Sequence, residues 1–163
     1  LATIDGNMAR QVSSDRITVE QRDAALEKLK AADSMEGFED ADIVIESATE
    51  SEDVKRKIFA DLCPHLREDA LIATNTSSIS ITRLAASTDR PERFMGVHFM
   101  NPVPLMELVE LLRGIATEDA MFTATREFVQ SLGGTTAEVR GHMLKMEADF
   151  RVLLVTLDDL NTS

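Results

Sequence analysis

Apolar and polar residues alternate along the chain in two rhythms, and these rhythms predict its elements. Leu1, Ile4, Met8 and Val12 recur at spacings of three and four, one face of a helix over residues 1–12. Thr18-Val19-Glu20-Gln21 is a capping-box pattern, with Thr18 as N-cap and Gln21 at N3. It predicts a helix running to about Lys30 that buries Val19, Ala25, Leu26 and Leu29. Ala31 to Ser34 reads as the end of a short strand, and Met35 to Glu39 as one helical turn. Ile43-Val44-Ile45 is a short β-branched run, the pattern of a parallel strand covered on both faces.

Ser51-Glu52-Asp53-Val54 opens the next helix with acids in its first turn, where the helix dipole favours them. Val54, Ile58 and Leu62 are its expected buried side, and Pro64 limits it. Further strands are expected at 70–73, 94–99, 108–112 and 135–139, with helices at about 80–86 and 118–131. Thr117-Glu118-Asp119 is the expected cap of the second of these helices. Its core candidates are Phe122, Phe128, Val129 and Leu132, and Gly133-Gly134 ends it. Strand and helix alternate at crossover spacing, which predicts an α/β layered domain with a mostly parallel sheet. Beyond Arg140 the pattern weakens; Phe150 to Leu157 suits an extra strand or a helix.

Composition narrows the function classes. The 163 residues carry 17 Lys plus Arg against 29 Asp plus Glu, a formal charge of −12, which argues against long-range attraction to nucleic acid or an anionic membrane. Seven Phe with no Trp or Tyr leave few stacking platforms for bases. No run approaches the length of a membrane span, and the opening residues lack the pattern of a secretory signal. Cys63 is the single cysteine, so neither an internal disulfide nor a thiolate zinc cluster is expected, and the natural setting is a reducing one, the cytoplasm or an organelle matrix, with the cytoplasm the expected location. No metal site is expected from the scattered His65, His98 and His142.

In a parallel α/β sheet, ligands sit beyond the carboxyl ends of the strands. Three polar groups follow apolar strands there: Glu46 to Glu50, Asn75 to Ser78, and His98 to Asn101. His98 suits acid/base chemistry near neutral pH, or the role of a packed strand-end histidine. Glu107 and Glu110 are its candidate carboxylate partners, and spacing does not choose between them. Ser77 suits a substrate hydroxyl or a helix cap, and Asn75 a ligand contact or a turn. Glu50 suits a ribose and Lys55 a carboxylate or phosphate; the plainer alternatives are an exposed helix-start acid and a solvated lysine. Cys63 reads as packing rather than reactive, and His65 as a helix-end residue.

Three stretches carry a resemblance: Val44-Ile45-Glu46-Ser47-Ala48-Thr49-Glu50, Thr74-Asn75-Thr76-Ser77-Ser78-Ile79, and His98-Phe99-Met100-Asn101-Pro102 continuing to Glu110. In this order they resemble the NAD-binding domain of the 3-hydroxyacyl-CoA dehydrogenase family, in particular its bacterial 3-hydroxybutyryl-CoA dehydrogenase branch. The resemblance covers about residues 1–139 and implies a partial Rossmann-type, three-layer α/β domain, with 140–163 an unassigned tail. It implies NAD as cofactor, an (S)-3-hydroxyacyl-CoA as substrate and a place in fatty-acid or butanoate metabolism. By position, His98 is the implied catalytic base, Glu110 its orienting carboxylate and Ser77 the donor to the substrate oxygen. Glu50 and Lys55 match positions beside the cofactor, and Asn75 and Asn101 hold the loops.

The family also has a glycine-rich G-x-G-x-x-G turn and a C-terminal helical domain, and neither pattern occurs here. The 163-residue chain by itself is therefore expected to be inactive, with self-association through an incomplete sheet or the surface of the missing domain. The alternatives to an enzyme are an inactive fragment and a non-catalytic interaction module of the same fold.

Overall fold

The computed structural model describes residues 1–103 and 105–140, which fall into two compact units, Leu1–Gly37 and the remainder from Phe38. The expected elements at 150–157 lie outside the described residues.

The first unit is a pair of helices, α1 (Ala2–Ser13) and α2 (Val19–Leu26). The capping box forms as the sequence predicts: the Thr18 hydroxyl accepts from the Gln21 backbone N–H, and the Gln21 side chain accepts from that of Thr18. Arg22 pairs with Asp5 and ties the helices together. α2 stops four residues short of expectation. Lys28 and Leu29 bond back only three residues, to Ala25 and Leu26, a tightened turn that closes the helix. Val19 and Leu29 are exposed rather than buried. Residues 31–34 form no strand; among the described residues no strand pairs with them, and a 3-10 turn follows at Met35–Phe38.

The second unit is built on a five-stranded sheet in the order β1-β2-β3-β4-β5: Ile43–Glu46, Leu71–Thr74, Phe94–Phe99, Leu108–Arg113 and Thr135–Arg140. The β1–β2, β2–β3 and β4–β5 pairs are parallel, and β3–β4 is antiparallel. Helices α3 (Glu52–Leu62), α4 (Ile81–Ala85) and α5 (Asp119–Ser131) complete the layers. Side chains alternate across the sheet. Met95, Val97, Val109 and Leu111 face α5 and pack with its Met121, Phe122 and Val129. On the other face Phe94 meets the edge of Phe59 from α3 at 5.0 Å, and Gly96 lies under Ile81 of α4. Helices thus cover both faces, the three-layer arrangement expected.

Three core expectations are corrected. Among the described residues β1 lies at one edge of the sheet, with Ile43, Val44 and Ile45 half-buried and Glu46 its buried residue. The buried stripe of α3 is Lys55, Phe59 and Leu62, one position on from Val54 and Ile58; Val54 is exposed. A lysine heads an otherwise apolar stripe because its ammonium has partners inside, described below. Leu132 is 62% exposed, because α5 ends at Ser131 and the chain turns through Gly133 at φ +86°. Thr117 is not the cap of α5: its hydroxyl donates to the Phe94 carbonyl at 2.7 Å and accepts from the Gly114 N–H at 2.9 Å.

Gly96 has a packing reason. A Cβ there would come 2.7 Å from Ile81 Cδ1 and 3.0 Å from Leu112 Cβ. Gly96→Ala is therefore expected to destabilise the protein by about 1–3 kcal/mol through overpacking. Urea unfolding checks this, and an unchanged midpoint would refute the close fit of α4 on β3.

Candidate active site

The parallel registers Glu46↔Thr74 and Thr74↔Gly96 place the carboxyl ends of β1, β2 and β3 side by side. The three polar groups picked out in the sequence therefore share one end of the sheet. Each apolar strand delivers its chain to that end, and the turn that follows supplies the polar side chains.

The antiparallel register sets His98 opposite Glu110. Their side chains leave the same face, and His98 Nδ1 lies 2.9 Å from Glu110 Oε2. Geometry thus answers what spacing left open: Glu110 is the partner, while Glu107 precedes β4, is exposed, and engages β5 through its backbone carbonyl. An ionised carboxylate only accepts, so with Glu110 ionised the contact takes Nδ1 as its donor and leaves Nε2 as the ring nitrogen free to meet a ligand. His98 is 8% exposed, and its Nε2 is the one buried side-chain nitrogen or oxygen among the described residues with no hydrogen-bond partner. Packed strand-end histidines mostly have both nitrogens satisfied.

Glu50 gathers the second group. Its Oε1 accepts from the Thr76 hydroxyl, from the Ser77 and Ser78 N–H groups at 3.1 Å each, and from the Ser78 hydroxyl at 2.9 Å; the Ser77 hydroxyl stands at 3.4 Å. Burial works to raise the Glu50 carboxyl. The bonds from Thr76 and Ser78, with the charge of Lys55, outweigh it and hold the group below the usual carboxylate range. A depressed folded value stabilises the fold above the unfolded value, and that gain is lost as pH falls through the folded one. The stability advantage of wild type over Glu50→Gln should therefore be full at neutral pH and shrink in acid. Parallel acid-unfolding curves for the two proteins would rule this out.

Asn75 links the turns. Its amide donates to Ser47 Oγ at 2.9 Å and its Oδ1 accepts from the Phe99 N–H at 3.3 Å, the residue after His98. Lys55 is fully buried, so the solvated reading fails. Its ammonium donates to Glu46 Oε2 at 2.6 Å, Thr74 Oγ1 at 3.2 Å and the Asn75 carbonyl at 3.3 Å. The structure thus joins His98 with Glu110, Glu50 with Ser77, and Lys55 with the turn of Asn75. Sequence reasoning did not single out Glu46 or Thr76. A carboxylate closing an apolar strand was the available signal for Glu46. Cys63 is buried, and burial pushes its thiol up, as fits a packing role.

Comparison with known proteins gives this geometry a family. The model of the 3-hydroxyacyl-CoA dehydrogenase NAD-binding domain matches residues 1–142. A 3-hydroxybutyryl-CoA dehydrogenase of Bradyrhizobium diazoefficiens is 61% identical over 137 residues, which are 84% of this chain and 47% of that protein. A 3-hydroxybutyryl-CoA dehydrogenase of Mycobacterium tuberculosis is 41% identical over 129 residues, 78% of this chain and 45% of that protein. The crystal structure of an (S)-3-hydroxybutyryl-CoA dehydrogenase from Ralstonia eutropha superposes with a TM-score of 0.84 at 41% identity, covering 86% of this chain and 50% of that one. The chain spans about half the length of these relatives. Among the described residues no helix is long and apolar enough to cross a membrane. On this evidence the chain belongs to the 3-hydroxyacyl-CoA dehydrogenase family, and residues 1–142 correspond to that family's NAD-binding domain.

Proposed function

We propose that this chain forms the cofactor-binding half of a dehydrogenase that interconverts an (S)-3-hydroxyacyl-CoA and the 3-oxoacyl-CoA with NAD. The observation that carries the reading is the buried, unpartnered Nε2 of His98 beside the Nδ1–Glu110 contact, at the strand ends where a dinucleotide docks.

Held on the side of Glu50, Lys55 and Asn75, NAD would supply the hydride acceptor for oxidation at C3 of the substrate and NADH the donor for reduction. His98 Nε2 takes the proton of the 3-hydroxyl in oxidation and gives it to the ketone oxygen in reduction. Glu110 holds the tautomer that makes Nε2 the acceptor and stabilises the imidazolium once the proton arrives. The Ser77 hydroxyl hydrogen-bonds the same substrate oxygen. Glu50, Lys55 and Asn75 form the cofactor side, Glu50 with a carboxylate suited to ribose hydroxyls and Lys55 and Asn75 by fixing the turns. A cytoplasmic setting suits the single buried thiol, Cys63. Self-association belongs to the same proposal, and sedimentation equilibrium of the full-length protein decides it.

The test is NADH-dependent reduction of acetoacetyl-CoA by the full-length protein that carries this sequence, followed by loss of NADH absorbance. Turnover lost on replacing His98 supports the proposal. Saturable NADH binding without turnover of any 3-oxoacyl-CoA overturns it.

A further inference from the structure

A buried charge pair lies directly beneath the cofactor side of the site. Glu46 is 6% exposed and Lys55 is fully buried. The Glu46 carboxylate is fully engaged: Oε2 takes the Lys55 ammonium at 2.6 Å and the Thr74 hydroxyl at 2.7 Å, and Oε1 takes the Ala48 N–H at 2.7 Å. The last bond folds the turn 47–50 back onto the end of β1. On the other side Lys55 reaches the Asn75 carbonyl at 3.3 Å and so holds the turn after β2. The Asn75 N–H in turn donates to the Glu46 carbonyl at 2.7 Å. The pair therefore grips the backbone of two turns, one bearing Glu50 and the other bearing Thr76, Ser77 and Ser78, and these turns meet at Glu50 Oε1.

We infer that Glu46 is a positioning residue for the dinucleotide: through Lys55 and Ala48 it sets where the Glu50 carboxylate and the Asn75–Ser78 turn stand. This rests on the proposed dehydrogenase reading for its substrate, but not for its binding readout. Glu46 itself has almost no exposed surface to offer a reactant. Burial alone would make the pair a stability element. What sets it apart is that its bonds end on turn backbone at the ligand end of the sheet, where sub-ångström placement decides affinity.

Glu46→Gln keeps the shape and removes the charge that holds Lys55. Glu46→Asp keeps the charge and shortens the reach. In the full-length protein, both should raise the Kd for NADH measured by fluorescence titration, Glu46→Gln by about tenfold, the effect of weakening one charge-assisted contact. The KM for NADH should rise in parallel, while the pH profile of kcat keeps its wild-type shape, since His98 and Glu110 are untouched. A purely structural role would lower the unfolding midpoint of both variants and leave Kd and KM unmoved in the folded protein; that result overturns the inference. If Glu46→Gln does not fold, Glu46→Asp carries the same measurement. Wild-type protein that binds NADH but turns over no 3-oxoacyl-CoA defeats the functional reading alone, whereas wild type that binds no NADH defeats both.

Discussion

His98→Gln is expected to lower kcat for acetoacetyl-CoA reduction by about 10²–10⁴-fold, the range a positioned general acid or base contributes. That is about 2.7–5.5 kcal/mol of transition-state stabilisation. Glutamine retains polarity and comparable length, so the residue can still meet Glu110. It cannot release a proton from, or accept one at, the place of Nε2. The ground-state complex should be little changed, with the KM for NADH within about twofold of wild type, because only an interaction used in the transition state is removed. The imidazole limb of the pH–rate profile should vanish with it. Glu110→Gln leaves the proton carrier in place but lets either tautomer form, so its loss should be smaller and should fall on kcat as well. A His98→Gln enzyme within tenfold of wild type would assign the proton to another group and remove the main support of the proposed function.

The large features of this site were legible because they depend on strand ends. Apolar runs at 43–45, 70–73 and 94–99 became β1, β2 and β3 to within a residue or two, and in parallel strands the polar residues after each run must share one end of the sheet. Glu110 was not legible from spacing, because choosing it over Glu107 requires the β3–β4 register, a pairing fixed by the whole antiparallel ladder. Lys55 was misplaced for a different reason. Reading hydrophobic periodicity treats lysine as polar and slides the stripe to Val54 and Ile58. The true stripe includes Lys55 only because Glu46, Thr74 and Asn75 satisfy it from other elements. Burial of a charge is decided by its partners, and those lie 9, 19 and 20 residues away. The end of α2 and the exposure of Leu132 show the same limit at helix termini, where the last turn answers to local bonds rather than to the apolar pattern.

Lys55→Met should destabilise the protein by about 3–5 kcal/mol, the cost of leaving one member of a buried ion pair uncompensated. Methionine fills much of the volume of the lysine stem, so the loss is electrostatic rather than a cavity. Glu46 would then keep its charge at 6% exposure with only Thr74 and Ala48 as donors, or take up a proton and lose part of that bonding. Total stabilities of domains lie near 5–15 kcal/mol, so this single change removes a large share. Adding Glu46→Leu should cost less in this background than it does in wild type. With both charges gone the desolvation penalty disappears, and what remains is the Ala48 N–H, the Thr74 hydroxyl and the Asn75 carbonyl short of partners, at about 1–3 kcal/mol for a buried unsatisfied group. The double variant should therefore be less destabilised than the sum of the singles by about 0.5–3 kcal/mol, read from urea unfolding of all four proteins. Strict additivity would mean that the two residues act apart. It would also remove the physical basis for treating them as one clamp on the turns that carry Glu50 and Ser77.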